Sequence, residues 1–133
     1  MLLIIYTALI SYMFFFTLCI APEINLTLDR KNSSKLLRKI FPKNFIFGLV
    51  LSFIALVISV IEQNKISFIL SNILILSFVV NLKFLMPKIN NEADLTINKK
   101  EYTKKFKYLH LLSVILYLIK MIVATAAIIF LLV

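Results

Sequence analysis

Residues 108–133 read YLHLLSVILYLIKMIVATAAIIFLLV, a run in which His110 and Lys120 are the only basic side chains and no acid occurs. About 20 mostly apolar residues are enough for an α-helix to cross the hydrocarbon core of a bilayer. The run shows no alternation of polar and apolar positions over ten residues, so it is not a strand of a membrane barrel. Three more stretches have the same character: 1 to about 21, closed by Ala21-Pro22; about 45 to 61; and 66 to 86. The sequence therefore predicts an all-α protein: a single four-helix transmembrane bundle covering 1–133, with helices over about 1–21, 45–61, 66–86 and 108–133.

The composition agrees with this reading. The 133 residues are 62% hydrophobic and 16% charged, against about 45–50% and about 25% in a typical soluble domain. A globule this small could not hide so much apolar surface from water, and the same excess excludes intrinsic disorder. Four spans of about 20 residues use most of the chain and leave only short connections.

Charge orients the bundle. Thirteen of the fifteen cations fall in two stretches: Arg30, Lys31, Lys35, Arg38, Lys39 and Lys43 in one, and Lys83, Lys88, Lys99, Lys100, Lys104, Lys105 and Lys107 in the other. The turn Glu62-Gln63-Asn64-Lys65 holds one lysine. By the positive-inside rule both basic loops are cytoplasmic and both termini outside, as in a multi-pass protein of the inner (cytoplasmic) membrane. The net charge of +9 is thus first a topological signal, and with no soluble domain to carry a basic surface it does not point to nucleic acid.

The first loop is expected to hold a short interfacial helix. Ser33 or Ser34 would cap it, and Leu36, Leu37, Ile40 and Phe41 would rest on the membrane while the cations meet anionic lipid headgroups. The second loop, through Asn90-Asn91-Glu92-Ala93-Asp94, reads as polar and mobile, and residues 102–108 mix lysines with aromatics as an interfacial anchor does. The first segment has no basic residue before Arg30, which argues against a cleaved signal peptide. Cys19 is the only cysteine; no internal disulfide is possible, and a small buried hydrophobe is the expected role.

Two helix faces carry information. Gly48, Ser52, Ala55 and Ser59 fall on one side of the second helix, a small-residue stripe that reads as the seam on which helices pack closely in lipid. On the fourth helix His110, Ser113, Tyr117 and Lys120 recur at steps of three and four, a polar stripe expected to face the interior because lipid offers it no partners. The third helix offers Ser67, Ser71, Ser77 and Asn81 as a complementary polar face, with Asn81 a partner for His110.

Lys120 stands near the bilayer centre, where a lysine costs on the order of 2.5–3.5 kcal/mol on the insertion scale. Without a deep acidic partner, it either snorkels toward the outer face or faces an anion or substrate, with Tyr6, Tyr12, Tyr117, Asn72 or backbone carbonyls as neighbours. His110 is a lone candidate ligand for haem or a metal, lacking the second His, Cys pair or carboxylates that a metal site uses. No Ser-His-Asp set, carboxylate pair, Gly-rich phosphate loop or HExxH motif occurs, which points away from an enzyme.

Four landmarks occur in order: Met13-Phe14-Phe15-Phe16 leading to Ala21-Pro22; Ile40-Phe41-Pro42 with Phe45; Asn81 with Pro87; and Phe106 with Tyr108-Leu109-His110 and Ser113. This set resembles the transmembrane protein 205-like family (domain of unknown function 4149) over nearly the whole chain. The resemblance implies a four-helix membrane domain without an established activity. It also implies recurrent positions at Pro22, Phe41, Pro42, Asn81, Pro87, His110 and Ser113, and a distant fold-level kinship with copper-resistance membrane proteins and a haem-containing four-helix oxidase. Tyr117 stands where the family often has Asn, and Ser11-Tyr12 where it favours Gly or Trp.

The combined expectation is a non-enzymatic membrane protein that binds or moves a small solute or supports a membrane complex, as a homo-oligomer or with a membrane partner. The alternative is a haem- or metal-dependent redox protein using His110.

Overall fold

The computed structural model describes residues 1–96, 98 and 101–133. Among them, four long helices account for the fold and no strand occurs. We number them α1 (Leu2–Thr27), α2 (Arg30–Ile61), α3 (Lys65–Leu95) and α4 (Lys104–Leu132); each is long and apolar enough to cross a membrane. They run up, down, up, down, each packed against its neighbour in sequence, with α4 closing the ring on α1. Lys99 and Lys100, assigned above to the second basic loop, lie outside the described residues.

Every helix but α4 runs well past its apolar segment at the basic end. α1 does not stop at Ala21-Pro22, and α3 does not stop before Pro87. In both, the turn before the proline widens into a π-helix, over Phe16–Ile20 in α1 and Asn81–Leu85 in α3. Proline lacks an N–H and its ring crowds the carbonyl four residues back. A widened turn relieves that crowding, so the helix continues instead of breaking. Pro42 lies inside α2, which also continues through it.

The two loops predicted at the basic end are therefore largely helix. Neither Ser33 nor Ser34 caps the first; the N-cap of α2 is Asp29, whose side chain accepts from Asn32, and Ser33 Oγ instead donates to Asn25 Oδ1 of α1 at 2.8 Å. The stretch expected to be mobile is tied down by ion pairs. Arg38 of α2 meets Asp94 of α3 at 2.6 Å, and Lys105 of α4 meets Glu92 of α3 at 2.8 Å. Arg30 donates to the Thr96 carbonyl at 3.1 Å and stacks 3.7 Å over the Tyr102 ring. The sequence held both signs of charge here, and helix extension brings them together. At the other end, Gln63 takes a left-handed φ of 52° that ends α2, and Asn64 Oδ1 caps α3 by accepting from Ser67 N at 2.9 Å.

The chain repeats itself. Pro22-Glu23-Ile24-Asn25 and Pro87-Lys88-Ile89-Asn90 stand 65 positions apart, and at the same spacing Asp29 matches Asp94 and Phe41 matches Phe106. The two π-turns obey the same offset. Helices α1–α2 and α3–α4 thus share a short motif and a π-turn at the same offset, and both hairpins enter the bundle in the same direction.

Where lipid surrounds a helix, close packing and internal hydrogen bonds hold the bundle. Gly48, Ser52, Ala55 and Ser59 are all buried. A Cβ on Gly48 would overlap the Tyr12 hydroxyl and the tip of the Phe78 ring, so α1 and α3 both close onto α2 at this point. Ser67, Ser71, Leu74, Phe78 and Asn81 form the buried face of α3, while Ser77 turns its hydroxyl back to the Ile73 carbonyl. Tyr6 crosses from α1 to donate to the Ser67 carbonyl at 3.1 Å, its hydroxyl oxygen 2.8 Å from Ser71 Oγ. The outward surfaces carry exposed Ile, Leu, Val and Phe, as a lipid-facing shell requires. Cys19 belongs to that shell: it is exposed, not buried, because the π-turn that buries Phe16 turns Cys19 outward.

Candidate functional site

A cavity of about 300 Å³ lies at the basic end, reached by side chains from all four helices. Its walls are mostly apolar, with Phe16, Leu37, Phe41, Phe45, Met86, Ile89, Val114 and Leu118. Its polar groups are Thr17, Asn25, Arg38, Asn90, His110, Ser113 and Tyr117. Three pairs of these wall residues are repeat equivalents: Ala21 with Met86, Asn25 with Asn90, and Phe45 with His110. The cavity lies between the α1–α2 and α3–α4 hairpins.

The residues expected to form one polar face divide between this cavity and the layer beneath it. His110, Ser113 and Tyr117 line the cavity. Asn81 and Lys120 are fully buried and do not. His110 is exposed and lies parallel to the Phe106 ring at 6.0 Å. It does not pair with Asn81; Asn81 Oδ1 is instead 3.4 Å from Ser113 Oγ, one turn further along α4. Tyr117 is buried, accepts from Asn44 Nδ2 at 3.3 Å, and lies against Phe16 and Phe45.

Lys120 does not snorkel to the outer face. A long side chain on a helix leans toward the helix N-terminus, which for α4 is the basic end. Its ammonium is held among three rings, 4.2 Å from the centroid of Phe78, 4.9 Å from Phe45 and 5.1 Å from Tyr117. Two of those rings, Phe45 and Tyr117, form part of the cavity wall. The nitrogen makes no hydrogen bond among the described residues. Of its expected neighbours Tyr117 is beside it, while Tyr6 bonds Ser67 and Ser71, and Asn72 bonds the Phe68 carbonyl of its own helix.

Among the recurrent positions, Pro22 and Phe41 line the cavity, whereas Pro42 sits within α2 and Pro87 follows the α3 π-turn exposed. The sequence reading missed Thr17, Asn25, Arg38 and Asn90. The repeated Pro-x-Ile-Asn was the signal that would have found the two asparagines.

The residues around the cavity offer a metal ion a single ligand of the usual kind, His110. Around His110 stand neutral oxygens and amides, and no group of three or more His, Cys, Asp or Glu side chains comes together among the described residues. A protein-bound metal ion of the zinc type takes three or four His, Cys or carboxylate ligands on one centre.

Four apolar helices around a shared interior define a polytopic helical membrane protein. The chain belongs to the family described as Domain of unknown function (DUF4149), whose model matches residues 4–98. That match takes in α1, α2 and α3 and ends before α4, so His110, Ser113, Tyr117 and Lys120 lie beyond it. No curated protein and no solved structure matches the chain.

Proposed function

We propose that the protein binds a small, largely apolar solute in the cavity between its two hairpins. The observation that carries this is the cavity itself: about 300 Å³, walled by apolar side chains from four helices, with a few polar groups converging on it. Ligand pockets of about 300–1,000 Å³ have this character, and the volume here selects a small ligand. The transmembrane protein 205-like resemblance supports a four-helix membrane domain of this kind. Charge supports an inner-membrane protein with the cavity on the cytoplasmic side, termini outside, and the exposed lysines of the basic end against anionic headgroups.

The test is binding of the apolar fluorophore 1-aminoanthracene to protein purified into nanodiscs. Binding that saturates at one site per chain and is lost in Ala21→Phe, which fills the cavity, is expected. Identical, unsaturable partition into both proteins would sink the proposal. A support role for another membrane protein, or for a second copy, needs no such cavity; a stoichiometric partner that co-purifies unchanged with Ala21→Phe would favour it instead. The absorption spectrum of the same sample tests the haem reading, for which a Soret band is the required result.

A further inference from the structure

Hydrogen-bond accounting sharpens the ligand's chemistry. Buried polar groups in folded proteins nearly always have partners, and those without one call for an explanation. Four buried side-chain atoms here have none among the described residues: Tyr12 Oη, Arg38 Nε, Asn81 Nδ2 and Lys120 Nζ. All four carry hydrogens to donate, two belong to cations, and no carboxylate or amide oxygen is stranded with them. The bundle interior is thus short of acceptors and of negative charge.

One of these donors, Arg38, lines the cavity, and two more lie in the layer next to it. One guanidinium nitrogen of Arg38 is used by Asp94 and the Asn90 carbonyl, which leaves Nε free. Lys120 stands behind the wall made by Phe45 and Tyr117. Asn81 is joined to the cavity through Ser113. A positive charge behind an apolar wall is felt strongly because little solvent screens it.

Resting on the cavity-binding reading above, we propose that the ligand is a single-chain anionic amphiphile, a short alkyl or aryl carboxylate. Its chain occupies the apolar walls, and its carboxylate accepts from the unpartnered Arg38 Nε and sits in the field of the Lys120 ammonium behind the wall. The volume of about 300 Å³, at the small end for ligand pockets, admits one short chain.

The experiment displaces 1-aminoanthracene from nanodisc-embedded protein with three ten-carbon probes: decanoate, decanol and decyltrimethylammonium. Decanoate should compete at least tenfold more strongly than decanol, and the cation least. In Lys120→Met and in Arg38→Met the ratio of decanoate to decanol competition should fall about tenfold, with far-ultraviolet circular dichroism showing that the variants are folded. Decanol competing as well as decanoate overturns the anionic assignment and leaves the cavity reading standing; no competition by any probe overturns both. Should either variant fail to fold, the three-probe ranking on the unaltered protein decides the matter. Nanodiscs with and without phosphatidylglycerol separate the sources of anion: unchanged decanoate competition assigns a free amphiphile, and its loss on adding phosphatidylglycerol overturns that assignment in favour of a lipid headgroup.

Discussion

Replacing Lys120 by Met should make the protein more stable. A lysine near the middle of a membrane helix costs on the order of 2.5–3.5 kcal/mol relative to an apolar residue. Part of this is recovered because the ammonium lies 4.2 Å from the Phe78 centroid, and a desolvated cation–π contact is worth about 2 kcal/mol. Phe45 at 4.9 Å and Tyr117 at 5.1 Å share the same charge and add less than a full contact each. No hydrogen bond offsets the remainder, since Nζ makes none. The balance is a net cost of about 1 kcal/mol, which Met removes while it retains the packing of the unbranched stem. Reversible unfolding in sodium dodecyl sulfate, followed by far-ultraviolet circular dichroism, reads this as a higher unfolding midpoint. Phe78→Leu should then be more damaging in the native background than in the Lys120→Met background, where no ammonium needs the ring. A loss of more than about 1 kcal/mol in Lys120→Met would refute the reasoning, because it would mean that the charge has a strong partner in the resting protein.

Gly48→Ala should destabilise the bundle by about 1–3 kcal/mol, the usual cost of overpacking, because the new methyl meets the Tyr12 hydroxyl and the Phe78 ring; the same unfolding assay measures it. Tyr6→Phe, which ends the contact with Ser67 and Ser71, should cost on the order of 0.6–1.7 kcal/mol, the range for hydrogen bonds between membrane helices. The Arg38–Asp94 pair is 29% and 56% exposed, so a double-mutant cycle should return a coupling below about 1 kcal/mol. In a Cys19→Ser background, Gln63→Cys should react with an impermeant maleimide on intact cells and Lys39→Cys only after permeabilisation; the reverse result would invert the assigned topology.

How much of this could be read from residues alone depended on the range of the interaction. The four spans were legible because hydropathy is a local sum over about 20 residues. The burial of Gly48, Ser52, Ala55 and Ser59 was legible because helical periodicity is local too. The helix ends were not. Ala21-Pro22 reads as a stop, but the helix passes it after a turn of widened pitch. The acidic residues Glu92 and Asp94 read as part of a loose loop because their partners, Lys105 and Arg38, lie on other helices. Lys120 was recognised as unusual, but the direction of its side chain depends on aromatic rings contributed by α2 and α3. The cavity depended on the same long-range assembly, which is why His110, Ser113 and Tyr117 were found while Arg38 and the asparagines were not.

The two matching hairpins bear on how such a chain could arise. A unit of two membrane helices returns to the side it started from, so joining a second copy end to end needs no reversal of either copy in the bilayer. Insertion signals already present in one unit, such as its basic end, would simply be written twice. The chamber then belongs to neither unit: each contributes one half of a wall, and it exists only once the two have met. At the same spacing Phe45 corresponds to His110 and Ala55 to Lys120, so the two hairpins bring different polarity and charge to the space between them.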